Sequence, residues 1–112
     1  MRATAPLGGA LFLLGTILHP ARDGHGIAAA GRLYAITHDV QAIGLLLQAV
    51  ALAGMIASAQ RSARRHVLAA YLALVGTLAW LSLIVFDGAH NPVTARYAPD
   101  LVHPRPTSTS AG

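Results

Sequence analysis

The chain has 112 residues, room for one domain, with 54% hydrophobic and 11% charged residues. A soluble domain carries about 25% charged residues, and so short a chain cannot bury this much apolar surface in a core of its own. The composition therefore excludes an ordinary water-soluble domain and predicts an all-α transmembrane bundle. The formal charge is +4 and every basic residue is arginine. The arginines are scattered at the ends of the apolar runs and form no continuous basic stripe, so no nucleic-acid partner is expected. The absence of cysteine excludes disulfides, iron–sulfur clusters and thiolate metal sites.

The first apolar run, Ala3 to Leu18, ends at His19-Pro20. Sixteen residues rise about 24 Å as a helix, a little short of the ~30 Å hydrocarbon core. A secretory signal peptide is the rival reading, with Met1-Arg2 as its charged start and Ala28-Ala29-Ala30 as a cleavage-like site. That site lies well beyond the apolar run, which favours a retained helix over about 3–19. The second run, Val40 to Ala59, holds twenty residues without a formal charge and is long enough to span. Its helix is predicted over about 34–59, with His38 and Asp39 in the interfacial turns. The third run, Val67 to Phe86, follows Arg61, Arg64, Arg65 and His66 and stops at Asp87-Gly88, which predicts a helix over about 66–86. Residues 1–90 thus form the three-helix membrane domain. Residues 91–112 read as a Pro-rich, largely irregular extramembrane tail, disordered towards its end.

Arg61, Arg64 and Arg65 place the loop between the second and third helices in the cytoplasm under the positive-inside rule. The N-terminus is then cytoplasmic, and the C-terminus lies outside a multi-pass cell-membrane protein.

At 100° per residue, His38, Gln41, Leu45, Gln48, Leu52 and Met55 share one side of the second helix. Gln48 falls near the bilayer midplane, where an unpaired amide is costly, so it is expected to face another helix. Ala49, Ala53 and Ala57 form a small-residue stripe on the adjoining side. Ala69 and Ala73 begin a matching face on the third helix, and both stripes are assigned to helix packing.

The predicted topology gathers His19, His38, Asp39, Asp87 and His90 on the outer membrane face. Imidazole and carboxylate ligate divalent metals, and two histidines can hold a b-type haem. However, no H-x-x-x-H or H-E-x-x-H spacing is present. Polar side chains also collect at interfaces as helix stops and caps, as His19-Pro20 and Asp87-Gly88 suggest. Interface capping is therefore the first reading and a metal or haem site the second; no cofactor is expected. Nor is any Ser, Cys or Lys set beside a base as a nucleophile would be, and the reading leans away from an enzyme.

Three short pieces carry a resemblance: Gly15-Thr16-Ile17-Leu18-His19-Pro20, Thr37 to Leu47, and Phe86-Asp87-Gly88-Ala89. Over about residues 7–89 the chain resembles the N-terminal portion of uncharacterised multi-helix membrane proteins of GC-rich Gram-positive bacteria. In these, a helix-ending HP, a histidine opening the second helix and a DG after the third recur in this order. The resemblance implies a helical membrane bundle and no particular activity. Such proteins continue into a further hydrophobic helix, where this chain runs into a Pro-rich segment, as a short member or a truncated product would.

Three helices barely enclose an interior, which points to a homo-oligomer or a larger membrane partner within the lipid bilayer. The expected function is a non-enzymatic accessory or interaction subunit of a membrane assembly. The alternative is a metal- or haem-binding membrane protein using the outer-face histidines and aspartates.

Overall fold

The computed structural model describes residues 3–59 and 64–102. Four helices follow in order: α1 (Thr4–Ile17), α2 (Gly24–Ala30), α3 (Arg32–Ser58) and α4 (Arg64–Tyr97). A 3₁₀ turn, Pro99–Leu101, closes the described chain. Helices α3 and α4 are both long and apolar enough to cross a membrane, while α1 is a shorter apolar helix.

α3 is the central element. α1 packs along one flank of it and α4 along the other, and α1 and α4 are not packed on each other. The molecule measures 65 × 32 × 20 Å. A helix with its side chains is about 10–12 Å across, so the 20 Å thickness is more than one helix deep, and α1, α3 and α4 form an open layer bent about α3.

Glycine sets the spacing of this layer. A Cβ on Gly8 would stand 2.6 Å from the Gly44 carbonyl oxygen, and one on Gly44 would stand 2.6 Å from the Gly8 oxygen and the Phe12 nitrogen. Gly15 meets the Thr37 carbonyl and Gln41 in the same way, and Gly88 lets α4 approach the His38 side chain. The alanine stripes play a smaller part than their spacing suggests. Ala49 is buried, but Ala53, Ala57, Ala69 and Ala73 are exposed. The buried positions of α4 are Ala70, Ile84 and Ala95. Gln48 lies against Gly8 of α1.

Two boundaries differ from the sequence reading. The loop after His19 contains α2, started by Asp23, whose Oδ1 accepts the Gly26 N–H at 2.8 Å. Gly31 then takes a positive φ of 55°, a conformation open to glycine, and lets α3 begin directly. The third helix does not stop at Asp87-Gly88 but continues through Pro92 to Tyr97. Its C-terminal end is held by a small cap in which Ile27, Tyr34, Ala95 and Val102 are buried together. Tertiary contact thus overrides the helix-stopping tendency of glycine and proline. The basic residue Arg61 and the tail from residue 103, expected to be disordered, lie outside the described residues.

Candidate functional site

The buried polar residues of the described chain sit on one face of α3. Tyr34, Thr37, His38 and Gln41 are each less than 5% exposed, and the 3- and 4-residue steps between them keep them on one side. His38 places Nδ1 2.8 Å from the Tyr34 carbonyl oxygen. A carbonyl only accepts, so Nδ1 donates. Its other nitrogen, Nε2, is 3.1 Å from Asp87 Oδ2 on α4.

Asp87 is the hub of this network. The Tyr34 hydroxyl donates to Oδ2 at 3.1 Å, and the Asn91 amide donates to Oδ1 and to the Tyr34 oxygen. The network ties α3 to α4 at the end of the layer that carries α2, with Asp87 five residues and Asn91 one residue before Pro92, where α4 lacks one backbone donor.

His19 joins from the linker between α1 and α2. Its ring packs edge-on against Tyr34 and His38, with centroids 5.0 and 4.8 Å away. Nδ1 lies 2.7 Å from the Pro20 carbonyl, to which it donates. Burial pushes the His19 pKa below the usual histidine value, and the nearby His38 and Arg22 act in the same direction. The Pro20 hydrogen bond and Asp87 oppose this without reversing it.

These residues line a half-open cleft of about 470 Å³, with α3 as its floor, Phe12 and Thr16 of α1 on one wall and Trp80, Leu83 and Ile84 of α4 on the other. At the floor the Gln41 Nε2 donates to Thr16 Oγ1 at 3.1 Å, while the Thr16 hydroxyl donates to the Phe12 carbonyl at 2.8 Å. The Thr16 proton is therefore committed and its oxygen accepts from Gln41. That fixes the amide orientation, and leaves Gln41 Oε1 buried without a hydrogen-bond partner among the described residues. A larger hollow of about 590 Å³ lies between α2 and the end of α4, lined by Arg32, Arg96 and apolar groups. The buried polar side chains of α3 do not line it.

Of the five outer-face candidates, the structure brings His19, His38 and Asp87 together. Asp39 is exposed, one residue and so about 100° round the helix from His38. His90 is also exposed, stacked on Phe86 with centroids 4.9 Å apart and close to the Thr94 hydroxyl. Among the described residues, no three His, Cys, Asp or Glu side chains are grouped so as to hold a metal ion. Tyr34, Asn91 and Thr16 were absent from the sequence-based candidates. Tyr34 precedes His38 by four residues and Asn91 follows Asp87 by four, a same-face spacing visible once both helices are extended. Thr16 carried no such signal, because its role depends on the approach of α1.

No family model, no curated protein and no solved structure matches this chain.

Proposed function

We propose that this is an integral membrane protein of three transmembrane helices that serves as a non-enzymatic interaction subunit of a larger membrane assembly. The observation that carries the proposal is the open arrangement of α1, α3 and α4, in which α1 and α4 do not pack on each other. Such an arrangement encloses no full interior and leaves most of its apolar surface uncovered. The apolar stretches of α3 and α4 are only 22% and 11% buried within the chain. A core helix of a soluble protein is mostly buried, so the remaining apolar surface fits lipid and neighbouring helices. The exposed small residues Ala53 and Ala57 leave room there for another backbone. The interface network of His38, Asp87, Tyr34 and Asn91 holds α4 on α3, a structural role that needs no bound group.

Extraction in native lipid nanodiscs followed by native mass spectrometry tests the proposal. The expected result is a fixed stoichiometry above one chain, either of copies of the protein or with a defined membrane partner, weakened by Ala53→Leu. A lone chain in native lipid overturns it. A near-stoichiometric divalent metal, or a haem Soret band, would instead make His19, His38 and Asp87 a cofactor site.

A further inference from the structure

The cleft between α1 and α4 has the features of a ligand site, and the occupant can be argued from its shape and its hydrogen-bonding deficit. α1 packs on one flank of α3, while α2 lies against α4 on the other. The linker joining them crosses the outer end of the cleft, where His19 and Arg22 line it. The cleft is thus roofed at its polar end and opens sideways between two apolar walls. A partner helix running the height of the layer would meet that roof. A single amphiphile entering from the bilayer would place its head beneath it.

The volume of about 470 Å³ falls in the range of small-molecule pockets, ~300–1,000 Å³. Ring side chains face the space from both walls, Phe12 from α1 and Trp80 from α4. The polar end holds unpaired acceptors beside the Arg22 guanidinium. Gln41 lines the cleft and its Oε1 has no donor among the described residues. His19, with Nδ1 committed to Pro20, has its Nε2 left over among the described residues. A neutral His19 presents that nitrogen as an acceptor, and burial favours the neutral form. Two acceptors beside aromatic walls and the Arg22 guanidinium select a flat head whose hydroxyl both donates and accepts.

We propose that this cleft binds a lipid-soluble amphiphile with a hydroxylated aromatic head, of the hydroquinone or alkylphenol class. Its hydroxyl donates to Gln41 Oε1, its ring lies between Phe12 and Trp80, and its tail leaves along the groove between α1 and α4. The site does not depend on subunit association, so either reading can fail without the other.

Trp80 is the only tryptophan in the chain and lines the cleft, so its fluorescence reports occupancy directly. The full chain in lipid nanodiscs is titrated with 2-decylhydroquinone and, separately, with its dimethyl ether, which keeps the shape and loses both donors. The expected result is a saturable fluorescence change with the hydroquinone and about tenfold weaker binding of the ether, as loss of a buried hydrogen bond implies. Gln41→Leu should bring the hydroquinone down to the level of the ether. Equal responses to the two compounds, or a change that rises without saturating, overturn the proposal and leave a cleft filled by lipid chains, water or a partner. The comparison of ligands uses the unaltered protein, so it decides even if the Gln41 variant does not fold.

Discussion

His19 shows how one side chain can couple this fold to pH. Its ring lies against Tyr34 and His38 with Nδ1 tied to Pro20, and its pKa is lowered because burial disfavours the charged ring. As pH falls, the unfolded chain therefore takes up this proton before the folded one does. The contribution of His19 to stability is complete above the unfolded value of about 6.5. It is lost progressively as pH falls from there through the lower folded value, and changes no further below it. Thermal unfolding in nanodiscs, followed by circular dichroism between pH 7.5 and 5, should show a falling midpoint that His19→Gln makes shallower. An unchanged slope in that variant would assign the pH dependence elsewhere. His19-Pro20 reads in the sequence as a helix stop, and α1 does end just before it, at Ile17. Its contact with two rings of α3 came from the fold.

At the scale of the helices, the determining residues are the glycines at the crossings. Gly8 and Gly44 face each other so closely that a Cβ on either would collide with backbone atoms of the other helix. Backbone cannot give way as a flexible side chain can, so Gly44→Ala should cost about 1–3 kcal/mol, the range for overpacking. Gly76 on α4 has nothing within 4 Å of its would-be Cβ. There Gly→Ala should be neutral or stabilising by up to about 1 kcal/mol, from helix propensity alone. Reversible unfolding of the two variants in mixed micelles makes the comparison, and equal effects would show that these crossings are not the tight points. In the sequence these glycines are indistinguishable, because a close approach is a property of two helices. The alanine spacing offered a more regular pattern and pointed to a face that is largely exposed.

For the whole molecule, the open layer and the length of α4 set the topology. The 34 residues of α4 span about 51 Å, well beyond the ~30 Å hydrocarbon core. In the proposed membrane arrangement one end therefore projects, and the cap of α2 and the 3₁₀ turn gathers around the end at Tyr97. The distribution of arginine assigns this cap to the outside, a proposal that the lack of native cysteine makes easy to test. In intact cells, Asp100→Cys should react with a membrane-impermeant maleimide, whereas Ala59→Cys should react only after permeabilisation. The opposite pattern would invert the topology. Both residues are exposed at opposite ends of the layer, so accessibility alone does not bias the result.

Composition and hydrophobic run length by themselves determined that the chain is helical, and placed α1 and the start of α3 within a few residues. They also singled out the α3 face carrying His38 and Gln41, because apolar length and 3.6-residue periodicity are local properties. Only the tertiary structure decided that α4 continues past Gly88 and Pro92. Burial of Ala95 against Ile27, Tyr34 and Val102 supports a segment whose local sequence argues for a stop. It likewise decided that Asp87 meets His38 while Asp39 and His90 turn away. Which residues share a site depends on how α1 and α4 are rotated about α3, and that rotation is set by the glycine contacts between helices.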